Sequence, residues 1–290
     1  MKIRGHLDLF SGIGGFSLGL KQAGVEPDWI GFSDIDKYSN KLFKRRFKDA
    51  EELGSITDVS YKSLRGRRID LLTGGFPCQT FSIAGKREGF DDTRGTLFFD
   101  IKRLLQDYIR NGKPIPCILL ENVKGLLFHN SRQTFATIYK VLTDLNYTLE
   151  CELVNTKWWL PQARQRIFIF GRYNGNPSGR KVFPIRESNE KDRKTQEKSH
   201  YTPRNTRTIT TAHAHGTSTN MSYIKEGKRI RRLTPKEVSR LQGFPDDWND
   251  CCSDTQRYKQ MGNAVSVPVI KAIVERIITI SIRNKYDEEL

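Results

Sequence analysis

The first 170 residues alternate apolar, strand-like runs with amphipathic stretches, and this alternation limits the fold more than any other feature of the sequence. The runs that have the composition of buried strands are HLDLF, WIGFSD, IDLLTG, CILLENV and RIFIFG. The stretches between them that have helical spacing are FSLGLKQAG, YSNKLFKRRF, LFFDIKRLLQDYI and TFATIYKVLTDL. Strands that alternate with helices are typical of a parallel sheet covered on both faces. We therefore predict an α/β domain.

The pattern changes at Arg172. From there to about Arg207 the sequence is polar and charged and has neither a helical nor a strand period, which indicates a separate module or a loop-rich insertion. Regular structure returns at LTPKEVSRLQGF, where Thr234 and Glu237 form a capping-box pattern and a proline occupies the first helical position. The last apolar stretch, VSVPVIKAIVERIITISIRN, has the spacing of a core helix.

The formal net charge of +16 and the pI of about 9.7 favour a polyanionic partner, although a basic protein without such a partner has the same composition. The five cysteines show no paired spacing and no CxxC motif, so neither a disulfide framework nor a structural zinc site is expected. The apolar start of the chain turns polar too soon for a secretory or membrane segment. We therefore expect a cytoplasmic protein.

A glycine-rich loop follows the first predicted strand, in LDLFSGIGGF. Gly12, Gly14 and Gly15 allow the backbone to pass close to a bound molecule. Asp34 ends the next strand, at about the twenty-residue distance at which a carboxylate contacts a ribose. Asp8 precedes the loop and would repel a pyrophosphate but attract a sulfonium, so S-adenosylmethionine fits the pattern better than a dinucleotide. A glycine-rich turn that binds no cofactor is the alternative.

Reactive side chains lie at the ends of several predicted strands. Cys78 follows Pro77 after the strand IDLLT, and Glu121 closes the strand in CILLENV. Arg164 and Arg166 precede RIFIFG two positions apart, so we expect them to share one face of that strand. Ligands of open α/β sheets bind at the carboxyl ends of the strands. Taken singly, these residues also fit a packed cysteine, a surface carboxylate and a solvated pair of arginines.

Together with a methyl-donor loop, these groups match methyl transfer to carbon 5 of cytosine. A thiolate that adds to carbon 6 makes carbon 5 nucleophilic, and a carboxyl such as that of Glu121 supplies a proton at ring nitrogen 3. Nearby arginines favour the thiolate of Cys78, because a free thiol has a pKa of about 8.5. A base inside a duplex is out of reach, so it must be flipped out.

The chain resembles the bacterial and phage DNA cytosine-5 methyltransferases. The matching blocks occur in the family's order over nearly the whole chain: DLFSGIGGFSLGL, GGFPCQTFSIAGKREGFDDTRGTLFFD, ENVKGLL, PQARQRIFIFG, RRLTPKEVSRLQGFPDDW and QMGNAVSVPV. The resemblance implies the Rossmann-like sheet of class I S-adenosylmethionine-dependent methyltransferases, with a smaller target-recognition domain. It implies a catalytic and cofactor-binding domain at 1–172, target recognition at 173–232, and a hinge and returning C-terminal helix at 233–290.

The resemblance also implies roles for individual residues. Cys78 resembles the nucleophile, Glu121 the acid that holds the flipped base, and Arg164 and Arg166 the arginines that steady the base and the nearby backbone. The implied cofactor positions, which require no metal, are Asp8, Phe10, Gly12, Gly14, Gly15, Asp34, Ile35, Ser55, Ile56, Pro77, Leu97, Asn263 and Val265, with Asn263 expected near the start of the last helix. The implied DNA-binding positions are Ser82, Lys86, Arg94, Arg207, Thr208 and Thr210.

Three cofactor positions depart from the family's pattern. Asp34 stands where a glutamate is common, Ile35 where an aromatic residue often covers the adenine, and Ser55 where an aspartate usually contacts the adenine amine. We expect these changes to affect the affinity for the cofactor and to leave the chemistry intact.

Other classes of nucleic-acid protein fit less well. An RNA cytosine-5 methyltransferase is the main alternative, but that branch typically has threonine at the position of Ser82. A zinc deaminase needs H-x-E and P-C-x-x-C, and neither motif occurs. A DNA-binding protein without catalysis has no need of Cys78, Glu121 and Arg164. We therefore expect a monomer that acts on double-stranded DNA, either alone or alongside a cognate restriction endonuclease that acts separately.

Overall fold

The computed structural model describes residues 3–77, 97–176, 179–185, 206–209, 223–226 and 229–288, with 206–207, 223, 225–226, 229–230 and 281–288 described by their backbone alone. The strands in these ranges are β1 Gly5–Leu9, β2 Trp29–Ser33, β3 Glu51–Glu52, β4 Leu71–Gly74, β5 Cys117–Val123, β6 Tyr147–Asn155, β7 Gln162–Ala163, β8 Gln165–Tyr173, β9 Thr206–Arg207, β10 Tyr223–Glu226 and β11 Arg229–Arg232. The helices are α1 Gly15–Gln22, α2 Lys37–Arg46, α3 Leu97–Arg110, α4 Gln133–Asp144, α5 Pro235–Gln242, α6 Asp254–Asn263 and α7 Val267–Glu288.

Seven strands form one sheet in the order β3-β2-β1-β4-β5-β8-β6. The strands from β3 to β5 in this order pair in parallel, whereas β8 runs antiparallel to both β5 and β6. The expected parallel sheet is therefore mixed at β8. The reason is the short connection 156–164, since a parallel pair needs a crossover of about a dozen residues or more. As a result, β8 begins at the edge of the sheet where β5 ends.

Helices cover both faces of the sheet and leave its central strands buried. α3 and α4 pack against one face through side chains that include Phe98, Leu105 and Ile138. α1 and α7 pack against the other face and against each other. A Cβ at Gly19 would lie 2.5 Å from Cγ2 of Ile270, so glycine is required for this close approach of α1 to α7. The final apolar stretch is a core helix, as its spacing predicts.

The helix α5 begins with the predicted capping box. The Thr234 hydroxyl accepts from the Glu237 amide at 3.3 Å, and the Glu237 carboxylate accepts from the Thr234 amide at 2.7 Å. Arg231 donates to the same carboxylate at 2.8 Å, and this hydrogen bond lowers the pKa of Glu237 to about 2. The start of α5 is thereby tied to the end of β11.

The strand β6 is not among the predicted strands, and the glutamates on its polar face have a structural role. The carboxylates of Glu150 and Glu152 accept from the amides of Phe183 and Ile185, at 3.0 and 3.1 Å. A neighbouring segment thus covers this edge of the sheet through hydrogen bonds to acidic side chains. The residues Tyr147, Leu149, Cys151 and Leu153 alternate with polar residues, which is the period of a half-buried strand, so the sequence does contain the signal for β6.

Part of the C-terminal region also differs from expectation. Asn263 is the last residue of α6, a separate helix that was not predicted, and it lies four residues before the last helix begins at Val267. Within 173–232 the structure describes a pairing of β9 with β7 and a hairpin of β10 with β11, and the domain boundaries stay a prediction. In the described parts of the chain, no helix is long and apolar enough to cross a membrane.

Candidate active site

The glycine loop after β1 presents its backbone to open space. Phe10 and Gly12 have φ values of +52°, and Gly14, the N-cap of α1, has a φ of +83°. Such left-handed conformations favour glycine, and Phe10 adopts one while packing against the core. A Cβ at Gly12 would meet nothing within 4 Å. The loop therefore leaves room beside the Gly12 backbone for a bound molecule.

Asp34 joins the glycine loop to the end of β2. One carboxylate oxygen accepts from the Gly12 amide at 2.8 Å, and the other accepts from the Asp36 amide at 2.9 Å. Each oxygen keeps a further lone pair for a ligand hydroxyl. The next side chain, Ile35, is 81% exposed. A carboxylate with spare acceptors beside an exposed apolar side chain fits the ribose and the adenine of S-adenosylmethionine.

Asp8 lies inside the protein and not on the surface of the loop. It is 0% exposed, and its two oxygens accept from the hydroxyls of Ser17 and Thr73 at 2.8 and 3.0 Å. Burial raises the pKa of Asp8 to about 7, against the effect of these hydrogen bonds. The predicted contact of Asp8 with the cofactor's sulfonium is therefore not favoured by its position. The geometry favours a role in holding α1 against β4.

Three predicted cofactor positions are packed into the protein. Ile56 and Val265 are buried, and Leu97 packs partly buried against the core. A Cβ at Gly15 would lie 2.6 Å from Cγ2 of Val265, so Val265 packs directly behind the glycine loop.

The three remaining cofactor positions reach the surface. The Ser55 hydroxyl accepts from the Thr57 amide at 3.3 Å and caps a short 3₁₀ turn, so it already has a local partner. Pro77 and Asn263 are exposed, one at the end of the described segment after β4 and the other at the end of α6.

Glu121 lies near the carboxyl end of β5 beside one of the predicted arginines. Its side chain is 11% exposed, and its Oε1 lies 3.0 Å from Arg166 Nε. Because β8 is antiparallel to β5, Arg166 pairs in register with Val123 at the end of β5. A Cβ at Gly75 would lie 3.3 Å from Glu121 Oε2, so the backbone that leaves β4 passes directly beside the carboxylate. The predicted acid thus lies beside the segment that leads to Cys78.

Asn122 is a site residue to which the sequence analysis gives no role. It is 3% exposed, and its side-chain amide donates to the carbonyl of Phe76 at 2.8 Å. Its side-chain oxygen accepts from the Val123 amide at 2.9 Å. The side chain therefore ties the segment after β4 to the end of β5. Asn122 belongs to the conspicuous block ENV, but no rule of local spacing predicts its contact with Phe76, which lies 46 positions away.

Arg164 is more deeply buried than Arg166 and has different partners. It is 3% exposed, and its guanidinium donates to the carbonyls of Ile209, Gly262 and Ala264 at 3.0, 3.3 and 2.8 Å. Burial, and then the charge of Arg166, lowers the pKa of Arg164 to about 9. Arg164 lies in the break between β7 and β8, where strand alternation does not set the direction of a side chain, so the shared face stays a prediction. In the structure Arg164 holds three backbone segments together.

Thr208 is the predicted DNA-binding residue whose side chain the structure describes. Its hydroxyl donates to the carbonyl of Ala163 at 2.6 Å. It lines a cleft of about 350 Å³ together with Val123, Lys124, Gly125, Asn155, Ala163, Gln165 and Arg166. Arg207 is described by its backbone in β9, and the predicted site residues that lie outside the described ranges are Cys78, Ser82, Lys86, Arg94 and Thr210. Within those ranges, no group of three or more His, Cys, Asp and Glu side chains is placed to hold a metal ion.

Comparison of the sequence with known proteins gives consistent relatives. The family model for C-5 cytosine-specific DNA methylases matches residues 5–212 and 180–279. The Type II methyltransferase M1.ScrFI of Lactococcus lactis subsp. cremoris is 35% identical over 96% of this chain and 79% of its own length. M.SsoII of Shigella sonnei is 36% identical over 94% of this chain and 79% of its own length. M.NlaX of Neisseria lactamica is 34% identical over 93% of this chain and 95% of its own length.

Solved structures share the fold. A mutant of DNMT2 from Spodoptera frugiperda superposes with a TM-score of 0.73 at 21% identity, over 95% of this chain and 99% of that chain. Dnmt2 of S. pombe also gives a TM-score of 0.73, at 19% identity over 95% of this chain and 98% of that chain. At these identities the likeness establishes the Rossmann-like fold alone. The family match and the Type II relatives confirm the resemblance seen in the sequence blocks, and the chain belongs to the C-5 cytosine-specific DNA methylase family.

Proposed function

We propose that the chain transfers a methyl group from S-adenosylmethionine to carbon 5 of a flipped cytosine, at a specific sequence in duplex DNA. The position of Glu121 carries the proposal. Its carboxylate lies 3.0 Å from Arg166 and beside the backbone of Gly75, three residues before Cys78 in the sequence. A carboxyl group, a cation and the segment that bears the thiol therefore meet at the carboxyl ends of β4 and β5.

The residues of the glycine loop fit the proposed cofactor. Gly12 allows close approach to the backbone, Asp34 accepts from the ribose hydroxyls, and Ile35 offers an apolar surface to the adenine. When bound, S-adenosylmethionine supplies an electrophilic methyl group. Ser55 replaces the family's aspartate, and its hydroxyl is already engaged by Thr57, so we infer a weaker hold on the adenine amine.

The base is activated by addition of the Cys78 thiolate to carbon 6. A bond forms between sulfur and carbon 6, and the ring electrons that it displaces build up at carbon 5 and nitrogen 3. Glu121 supplies a proton at nitrogen 3 and accepts a hydrogen bond from the exocyclic amine, while Arg166 orients Glu121. Carbon 5 would then take the methyl group while the methyl's bond to the cofactor's sulfur breaks, which leaves that sulfur as a neutral thioether, and nitrogen 3 returns its proton to Glu121. Carbon 5 next loses its own proton to solvent, that electron pair restores the double bond between carbons 5 and 6, and the bond to the Cys78 sulfur breaks to release the thiolate.

DNA is favoured over RNA as the substrate. The Dnmt2 structures bear on the fold alone, because their identities to this chain are 21% and 19%. The relatives that share more sequence, at 35% and 36% identity, are named Type II methyltransferases. In this proposal the enzyme is a cytoplasmic monomer, residues 173–232 read the target, and a cognate restriction endonuclease acts separately.

The experiment that tests this proposal is covalent trapping. Duplex DNA that carries 5-fluorocytosine at the target should form a stable adduct with the wild-type chain, because fluorine blocks the final elimination. Cys78→Ser should still bind DNA and cofactor but transfer essentially no methyl group, since a hydroxyl ionises far less readily than a thiol. Failure of the wild type to form an adduct with DNA that it methylates, or substantial turnover by the serine variant, would overturn the mechanism.

A further inference from the structure

The side chains of Gln162 and Arg164 hold both backbone polar groups of Ile209. Gln162 Oε1 accepts from the Ile209 amide at 3.0 Å, and an Arg164 Nη donates to the Ile209 carbonyl at 3.0 Å. All three residues are buried, with exposures of 0%, 3% and 0%. Just before them, β9 pairs with β7, and Thr208 donates to the carbonyl of Ala163. The chain up to Ile209 is thereby fixed to the segment that enters β8.

Arg164 also binds the backbone that follows α6, which packs behind the glycine loop. Its guanidinium donates to the carbonyls of Gly262 and Ala264, on either side of the last residue of α6. The next residue, Val265, packs directly against Gly15 of the glycine loop. One buried arginine therefore joins the Ile209 segment to the backbone that supports the cofactor loop.

A second glutamine completes this buried arrangement. Gln162 Nε2 donates to the carbonyl of Leu241 at 2.7 Å and lies 3.3 Å from Gln242 Oε1. Gln242 in turn donates to the carbonyl of Met261 at 2.7 Å, and it is 0% exposed. We call Gln162, Arg164 and Gln242 the polar node. Each member binds backbone carbonyls of segments that are distant in sequence.

The polar node also lies next to the catalytic pair along the chain. β8 begins directly after Arg164, and its second residue, Arg166, contacts Glu121. The short covalent path from Arg164 to Arg166 sets the distance between the Ile209 anchor and the Glu121 carboxylate. On the other side of the anchor, Thr210 follows Ile209 directly and is the first of the predicted base-reading positions in that direction.

We propose that the polar node sets the register between the target-reading segment and the catalytic pair, so that Gln162, Arg164 and Gln242 are positioning residues for sequence specificity. The proposal rests on the proposed function, in which 173–232 reads DNA. A protein that reads neighbouring bases must hold them at a fixed distance from the flipped base. A shift of the reading segment at Ile209 breaks two buried hydrogen bonds and leaves their polar groups without partners, which is unfavourable away from water. With the node intact, a near-cognate site cannot be accommodated by letting this segment slide.

The test compares site discrimination in variants of similar stability. Gln162→Met keeps the size of the side chain and removes its hydrogen bonds. Gln242→Met likewise removes the hydrogen bonds that α5 contributes to the polar node, to Gln162 and to the carbonyl of Met261. Tyr147→Phe is the control, because it removes one buried hydrogen bond, to the carbonyl of Ile115 at 2.7 Å, outside the node. Each chain is expressed in a host without cytosine methylation. Bisulfite sequencing of the host DNA gives the ratio of methylation at the wild type's sites to that at sites differing by one base.

The expected result is a loss of discrimination confined to the node variants. Their ratio should fall about tenfold, which corresponds to roughly 1.4 kcal/mol, whereas the ratio for Tyr147→Phe should match the wild type. A purely structural role predicts lower thermal stability in all three variants with an unchanged ratio, and that outcome overturns the inference alone. Absence of 5-methylcytosine with the wild-type chain would overturn the proposed function and the inference with it.

Discussion

Two buried carboxylate–arginine pairs on β8 allow the role of Glu121 to be isolated. Arg166 Nε lies 3.0 Å from Glu121 Oε1, and Arg172 Nη2 lies 2.8 Å from Glu150 Oε1. The two carboxylates have side-chain exposures of 11% and 10%. The pairs are therefore matched in burial and distance, but one lies at the candidate site and the other at the opposite end of the strand.

Glu121→Gln should lower kcat by about a hundred- to ten-thousand-fold, because the amide keeps the size of the side chain but cannot supply a proton. Glu150→Gln should leave kcat near the wild-type value while it weakens a comparable ion pair. Methyl transfer to cognate DNA under single-turnover conditions measures both rates. Equal rates for the two variants would remove Glu121 from the chemistry.

His6, Thr73 and Asp8 form a buried chain of hydrogen bonds under the glycine loop. His6 Nε2 lies 2.8 Å from the Thr73 hydroxyl, which donates to Asp8 at 3.0 Å, so the histidine nitrogen is the donor to Thr73. Burial lowers the pKa of His6 to about 3 and raises that of Asp8 to about 7. The nearby carboxylate of Asp34 also raises the pKa of Asp8. Both groups are therefore neutral in the folded protein over a wide range of pH.

The two pKa shifts oppose each other in the pH dependence of stability. A raised Asp8 pKa makes stability fall as the pH rises from about 4 to about 7, and a lowered His6 pKa makes stability fall as the pH drops below 6.5. In Asp8→Asn only the effect of His6 remains. The free energy of unfolding of this variant should therefore rise with pH relative to that of the wild type, by up to about 1.4 kcal/mol per pH unit. His6→Gln should show the opposite slope between about pH 4 and 7. Urea unfolding across this range measures both, and parallel profiles for the three proteins would contradict the assignment.

Residue patterns predicted some of these side chains and not others. Glu121 and Arg166 were found because an apolar run that ends in a charge marks the edge of a sheet. Arg164 carries the same local pattern, yet its partners lie 45, 98 and 100 positions away. Its burial is decided by those distant segments, so a local rule that treats both arginines alike cannot separate them.

At the scale of elements, the ends of β4 and β5 act as one unit through Asn122. Its amide donates to the carbonyl of Phe76 at 2.8 Å, two residues before Cys78. Asn122→Ala should free that carbonyl and slow adduct formation with 5-fluorocytosine DNA, while the Kd for DNA stays within a few-fold of the wild type. Stopped-flow trapping and a binding titration measure the two quantities. An unchanged trapping rate would show that the tether does not position the thiol.

The elements themselves were predictable where their pattern was simple. β1, β4 and β5 are buried on both faces and read as apolar runs, and the Thr234 capping box is local. β6 also has a simple pattern, in which Leu149, Cys151 and Leu153 alternate with polar residues, and it was missed although that period predicts a strand. The direction of β8 depends on the length of the connection that precedes it, which the composition of the strand does not reveal.

At the scale of the whole molecule, a chimera tests whether catalysis and target recognition belong to separate parts of the chain. Replacing residues 173–232 with the corresponding segment of a Type II relative should transfer the relative's target sequence and leave the product, 5-methylcytosine, unchanged. The reason is that the Glu121–Arg166 pair and the glycine loop both lie outside residues 173–232. Methylation sequencing of DNA from expressing cells identifies the target. An active chimera that methylates the original sites would show that the segment does not carry specificity.

The packing of α7 against α1 has a consequence for the order in which the enzyme is made. Helices emerge from the ribosome in chain order, so α1 and the glycine loop exist long before α7. Until then α1 lacks its packing against α7, and Val265, which packs against Gly15, has not been synthesised. We therefore expect the glycine loop to gain its full support only when the C-terminal helix has been made, so that modification of DNA starts after synthesis and not during it.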